Sequence, residues 1–162
     1  MIDIPLVRLD PEMVIPTQAR SGDAGFDLAA REDATVPAGG GRYLMPTGLA
    51  MALPAGFAAL VLPRSGLALK QGLSVVNAPG LIDSGYRGEI QVLLLNTDPQ
   101  VDISIRRGER IAQLMIQEVV VSRFVEAESL PDSDRSTQGW GCLLYTSPSP
   151  RDQRGSRMPS SA

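Results

Sequence analysis

The chain has 162 residues, 43% of them hydrophobic, and a formal net charge of −3 at pH 7, with no histidine and one cysteine. That length and apolar content suit one domain of ordinary size with a core of its own. The same numbers exclude Ser-His-Asp and Cys-His catalysis, imidazole metal ligands, an intrachain disulfide and a thiolate zinc site.

Thirteen prolines and sixteen glycines leave little room for long helices. Between them, short apolar or alternating runs predict strands over 2–9, 43–51, 57–62, 73–76, 90–95, 101–105, 111–116 and 119–125. In the fifth of these, Ile90, Val92 and Leu94 share one face, while Leu93 and Leu95 make the other face apolar too. A strand of that kind belongs at the centre of a sheet or at an interface. Residues 65–70 give the one helical turn, with Ser65 as its cap and Gly72 as its stop. There is no internal repeat, and the pattern predicts an all-β sandwich or barrel. Residues 1–141 are expected to form the domain. Residues 142–162, rich in Ser, Pro and Arg, have no periodic apolar pattern after Tyr145 and read as a disordered or non-native tail.

Of fifteen basic residues only Lys70 is not arginine, and its surroundings, Leu67-Ala68-Leu69-Lys70-Gln71, are no phosphate loop of the GxxxxGK type. The charge balance argues against a nucleic-acid partner. No run of about 18 apolar residues could span a membrane, and the N-terminus has no basic start leading into an apolar run. The cytoplasm is the expected compartment. Chemistry is left to carboxylates, hydroxyls, amides, arginine and a metal that arrives with the substrate.

Five polar and glycine-rich clusters separate the strands. In the first, around Ser21-Gly22-Asp23-Ala24-Gly25-Phe26-Asp27, Asp27 sits in an apolar run, where a carboxylate needs a partner or a metal-bound water, or else caps a turn. The second, Pro63-Arg64-Ser65-Gly66, sets a guanidinium, a hydroxyl and free amides before a helical turn; it is an anion cradle or a plain cap with a surface arginine. The third runs from Asn77 to Glu89 and holds Gly80-Leu81-Ile82-Asp83-Ser84-Gly85-Tyr86. Its glycines allow a tight hairpin whose backbone can approach a flat ligand, and Asp83 can position a water for in-line attack. An Asp- and Gly-rich hairpin can equally be a turn and nothing more. In the fourth, Arg110-Ile111-Ala112-Gln113-Leu114, the Gln113 amide lies among apolar residues and must be hydrogen-bonded. The fifth, Arg135 to Gly141, combines an arginine with Trp140, the one tryptophan, and could act as a lid that stacks on a base.

In this order and spacing the five clusters resemble the motifs of the trimeric dUTPases, from about Ile4 to Gly141. The resemblance implies a jelly-roll, β-clip type barrel of short strands with one short helical turn. It also implies a homotrimer with shared active sites, and Mg²⁺-dependent hydrolysis of dUTP to dUMP and pyrophosphate. That reaction limits uracil entry into DNA and supplies dUMP for dTMP synthesis. By motif, Asp83 is implied as the general base for water attacking the α-phosphorus, and Tyr86 as the ring beneath the deoxyribose, leaving no room for a 2′-hydroxyl. Asn77, with the hairpin backbone around Leu81 and Ile82, would read the uracil edge, and Gln91 would lie close by among the substrate-binding residues. Arg64, Ser65, Gly66 and Gln113 would hold phosphates, with Arg135 and Trp140 closing over them. Asp27 would reach the Mg²⁺ through water, the ion being held mainly by the substrate's phosphates. The fifth cluster departs from the family pattern, with Ser136 and Gln138 in place of two glycines and Cys142-Leu143-Leu144 in place of small hydroxyl residues; weaker lid closure is expected. A dCTP deaminase-like enzyme and a non-catalytic trimeric nucleotide-binding module are the alternatives.

Overall fold

The computed structural model describes residues 2–133. Close contacts divide the chain into Met1–Ser122 and Arg123–Ala162, and every strand and helix described lies in the first unit.

The elements are β1 (Leu6–Arg8), β2 (Gly25–Ala29), β3 (Ala34–Val36), β4 (Arg42–Met51), β5 (Phe57–Pro63), α1 (Ser65–Gln71), β6 (Leu73–Val75), β7 (Gly80–Ile82), β8 (Glu89–Asn96), β9 (Ile103–Ile105) and β10 (Arg110–Glu118). They form two four-stranded sheets, β1-β4-β8-β6 and β2-β10-β5-β7, and a two-stranded β3-β9 pair. All pairings are antiparallel. Inward side chains from all three sheets, among them Leu28, Val36, Met45, Val61, Ile90, Leu94, Ile103 and Leu114, merge into one core. This is the all-β architecture expected from the alternation and the jelly roll implied by the resemblance, with α1 as its one α-helix among the described residues.

The doubly apolar strand is interior, as its pattern predicts. β8 lies between β4 and β6, with Ile90, Val92 and Leu94 fully buried and Leu93 and Leu95 half-buried. At its end Asn96, also fully buried, donates through Nδ2 to the carbonyls of Val36 (3.1 Å) and Val101 (2.8 Å). Its Oδ1 accepts from the Asp98 amide at 2.9 Å. All three groups of the amide that can bond are thus used where water is absent, and they tie β8 to β3.

Several boundaries differ from the expectation. The strand expected over 2–9 is only Leu6–Arg8, paired with the end of β4. The strand expected over 101–105 starts at Ile103, because the Asp98 carboxylate accepts the amides of Gln100 and Val101 and turns the chain there. No strand forms over 119–125: β10 ends at Glu118, and Val120, Val121 and Phe124 are exposed. The β-branched residues there have strand propensity but no neighbouring strand among the described residues to pair with. β2, β3 and β7 have no counterpart among the expected strands, since Gly25 and Asp27 interrupt the alternation of the first and the other two have three residues each. Ser65 is not the helix cap: Arg64 holds that position without a capping bond from its side chain, and Gly72 closes the helix in the left-handed conformation (φ 68°) as expected.

Arg107 organises the turn before β10. Its guanidinium meets Asp10 and Glu12, each at 2.8 Å, and donates to the Arg31 carbonyl. Arg31 bonds Asp10 in turn at 3.3 Å. The Arg107 guanidinium, helped by the Glu12 amide and Arg31, holds the Asp10 carboxyl at about 2 against an ordinary 3.8. A carboxyl with a folded-state value below its unfolded one stabilises the fold fully above the unfolded value and loses that contribution as pH falls through the folded one. Asp10→Asn is therefore expected to lower the melting temperature at pH 7, with the deficit shrinking between pH 3.8 and about 2. Thermal melts across that range check it, and an equal deficit at both ends would contradict it.

Candidate functional site

Strand β5 carries a candidate half-site at each end. At its C-terminal end the chain leaves the sheet through Pro63 and Arg64 into α1. The exposed Ser65 and Gly66 open that helix beside an open cavity of about 680 Å³, which Asp23, Gly25, Asp27, Arg64, Lys70, Arg110 and Gln113 also line.

Pairing in the sheet sets the cavity's polar groups. Central strand β10 places Gln113 opposite Asp27 on β2 and Leu62 on β5. The half-buried Gln113 amide donates through Nε2 to the Pro63 carbonyl at 2.8 Å, the partner its apolar surroundings demand. Its Oε1 lies 2.8 Å from where a Cβ on Gly25 would stand, so the glycine makes room for the glutamine.

Asp27 is bonded on both carboxylate oxygens, to Arg64 Nε at 2.8 Å and to Arg110 Nη1 at 3.0 Å. The Arg64 guanidinium also donates to the Arg110 carbonyl at 3.3 Å. The carboxylate in the apolar strand thus finds its partner in two arginines, and those arginines are held at the rim of the cavity with cationic edge left over. Arg110 is a site residue that cluster chemistry alone does not single out. Its place in the fourth cluster was visible, but its approach to Asp27 depends on the β2–β10 register.

At the other end of β5, Ala59 pairs with Ile82 and Val61 with Gly80. Beyond Ile82 the chain turns through Asp83 and Tyr86 into β8. A second hollow of about 280 Å³ is lined by Leu44, Leu81, Ile82, Asp83, Tyr86, Glu89, Ile90 and Gln91. β7 pairs with β5 and β8 with β4 and β6, so the expected hairpin is a tight turn between the two sheets. This hairpin turn is closed by the Tyr86 amide donating to the Asp83 carbonyl at 3.1 Å. Arg87 donates to the carbonyls of Ser84 (2.6 Å) and Tyr86 (2.7 Å). The Tyr86 ring stands over Gly88, where an added Cβ would lie 2.5 Å from its hydroxyl oxygen. Asn77, exposed, sits at the root of the hairpin, with its Nδ2 3.3 Å from the position a Cβ on Gly80 would take.

Apart from Asn77, which lines neither hollow and precedes β7 at the end away from Asp83, the expected site residues within the described range fall into two groups. Asp27, Arg64, Ser65, Gly66 and Gln113 meet in the first hollow, and Leu81, Ile82, Asp83, Tyr86 and Gln91 in the second. From Ala59, opposite the hairpin, to Arg64 are five strand steps, roughly 17 Å at about 3.3 Å per residue. A single chain holds the two groups apart. Arg135 and Trp140 lie outside the described residues.

Among the described residues no three acidic, histidine or cysteine side chains converge as a metal cage. No helix there is long and apolar enough to cross a membrane.

A family model described as dUTPase matches residues 11–143. The deoxyuridine 5′-triphosphate nucleotidohydrolase of Rhodococcus erythropolis is 54% identical over 140 residues, spanning 86% of this chain and 85% of that protein. Its counterpart in Nocardia farcinica is 56% identical over 138 residues, spanning 85% and 83%. Among solved structures, the dUTPase of Staphylococcus bacteriophage 80alpha with dUPNHPP has the same fold, with a TM-score of 0.81 at 22% identity over 88% of this chain and 98% of that one. A mutant dUTPase from phage phi11 of S. aureus, solved with a structural Mg(II) ion, gives a TM-score of 0.73 at 20% identity over 79% and 98%.

Proposed function

The chain belongs to the dUTPase family, and on that premise we propose that its two hollows are complementary halves of a site that hydrolyses dUTP to dUMP and pyrophosphate. The observation that carries the reading is their chemistry. One half is a cationic, amide-lined cradle suited to a triphosphate; the other sets the exposed Asp83 carboxylate beside a tyrosine ring and exposed backbone.

Phosphoryl transfer depends on positioning and charge neutralisation more than on a strong nucleophile. Arg64, the Ser65 hydroxyl, the Gly66 backbone and the Gln113 amide hold the phosphate oxygens. Backbone groups around Leu81 and Ile82, with Asn77 and Gln91, pair with the uracil edge, so that cytosine would leave them unsatisfied. Tyr86 packs beneath the deoxyribose and excludes a 2′-hydroxyl. Asp83 accepts a proton from the water whose oxygen bonds to the α-phosphorus, and the bond to the bridging oxygen breaks to release pyrophosphate.

Both Asp27 oxygens already face arginines, which suits a Mg²⁺ that would keep its waters and be held by the substrate's phosphates rather than by direct carboxylate ligands. Asp27 is the residue that would face it through water. When bound, the ion neutralises charge on the triphosphate oxygens. Asp27 meanwhile keeps Arg64 and Arg110 at the rim.

The separation along β5 supports a shared site. A closed ring of identical copies can present the cradle of one to the hairpin of the next, and a homotrimer is the assembly we assign. The test is pyrophosphate release from dUTP, dCTP, dTTP and UTP, with and without Mg²⁺. Release confined to dUTP and raised by Mg²⁺ is expected. Ammonia release from dCTP, or nucleotide binding without turnover, would overturn the reading.

A further inference from the structure

The hairpin that carries Asp83 and Tyr86 is bonded mostly to itself, so what fixes it to the rest of the domain decides where Tyr86 stands. It enters β8 at Glu89, opposite a slip in the β4–β8 register between Pro46 and Ala50. Such a bulge removes backbone groups from the ladder and leaves them to find other partners.

Here the Gly48 carbonyl accepts the Leu9 amide at 2.8 Å and the Pro46 carbonyl accepts the Arg31 amide at 2.9 Å, and two further replacements are side chains. The fully buried Thr47 hydroxyl donates to the Ile90 carbonyl at 2.6 Å. The Gly48 amide donates to Glu89 Oε1, also at 2.6 Å. Gly48 holds φ +71°, and a Cβ there would lie 2.8 Å from Met13, so this close approach requires glycine. The same Glu89 oxygen meets Arg31 Nη1 at 3.3 Å, and the Glu89 side chain is only 19% exposed. Arg31 in turn is bonded to Asp10. On its backbone side, the Glu89 carbonyl accepts the Tyr86 hydroxyl at 2.9 Å. Glu89 is thus bonded through its side chain to the bulge and through its main chain to the ring.

From this we infer that Glu89 is a positioning residue: by holding the entry to β8 against the bulge of β4, it sets the Tyr86 ring and with it the preference for a deoxyribonucleoside over a ribonucleoside triphosphate. The inference rests on the reading of Tyr86 as the ring beneath the sugar. Glu89 touches no reacting atom; it acts through Tyr86.

Two measurements on the full chain test it. The first compares kcat/KM for dUTP and UTP in the wild type, Glu89→Ala and Glu89→Gln. Glu89→Ala is expected to cut the dUTP-over-UTP ratio about tenfold. Glu89→Gln keeps an oxygen acceptor for the Gly48 amide and should hold the ratio within about twofold. Equal losses on both nucleotides, or an unchanged ratio in Glu89→Ala, would overturn the inference. Should Glu89→Ala fail to fold, Thr47→Val removes the neighbouring bond at nearly constant shape and is expected to shift the ratio in the same direction; an unchanged ratio there counts against it equally.

The second measurement is hydrogen exchange without nucleotide. Amides of 84–88 should exchange faster in Glu89→Ala than in the wild type, with those of β10 unchanged. Unchanged protection of the hairpin overturns the anchoring role whatever the chain turns over. A wild type that does not distinguish dUTP from UTP overturns the reading of Tyr86, and the exchange result is independent of it.

Discussion

Asp83→Asn is expected to lower kcat about 10²- to 10⁴-fold while KM for dUTP changes little. Asparagine keeps the shape and the hydrogen-bonding edge of the side chain but cannot take the proton that the attacking water must lose. The fold gives no reason for a second effect. Asp83 is exposed at the hairpin, and its bond within the turn is made by its backbone carbonyl to the Tyr86 amide, which the substitution leaves alone. Stability should stay within about 0.5 kcal/mol of wild type, as for other exposed sites without special contacts. Steady-state pyrophosphate release and a thermal melt measure the two quantities. A kcat within about threefold of wild type would remove Asp83 from the role of base.

The second large effect is a recovery. Arg64→Ala should be nearly as inactive, because it takes from the cradle the guanidinium that Asp27 holds at 2.8 Å; loss of one such charge-stabilising group costs roughly 10²- to 10³-fold. Co-expressed in one cell, the two inactive chains are expected to regain activity. If the cradle and the hairpin of each working site come from different copies, a random mixture gives roughly a quarter of the sites an intact Arg64 and an intact Asp83 together. If each site lay within one chain, every site would carry one of the lesions and mixing would restore nothing. Differently tagged chains, purified as mixed assemblies, separate the outcomes. The experiment turns on the span of β5 between Ala59 and Arg64, which sets the two half-sites at its opposite ends.

Much of the strand order could be read from local pattern. The runs at 43–51, 57–62, 90–95 and 111–116 lie within β4, β5, β8 and β10, the long strands of the two main sheets, since alternation and breakers act over a few residues and need no distant partner. The pattern failed where local preference and pairing part company. Gly25 and Asp27 spoil the alternation of β2, yet Gly25 is small because Gln113 of β10 occupies the space beside it. The valines of 119–121 favour a strand, but no strand among the described residues pairs with them. Ser65 has the chemistry of a cap, but the helix begins one residue earlier, with Arg64 in the extended conformation that a cap requires.

The site shows the same division. Cluster chemistry and order, Asp83 and Tyr86 in one hairpin and Arg64, Ser65 and Gly66 at a helix start, were plain in the sequence, as was the need for partners at Asp27 and Gln113. Which partners they take was not. Asp27 meets Arg110 from 83 positions away, Gln113 meets the Pro63 carbonyl from 50, and Glu89 takes the Gly48 amide from 41. Sequence by itself determined which groups are present, where the chain must turn and which faces are apolar, because those depend on residue type and short-range period. Tertiary structure alone decided which charge neutralises which, and that the cradle and the hairpin stand at opposite ends of one strand. Such pairings follow from strand register, and register is set by the burial of both sheets' apolar faces at once.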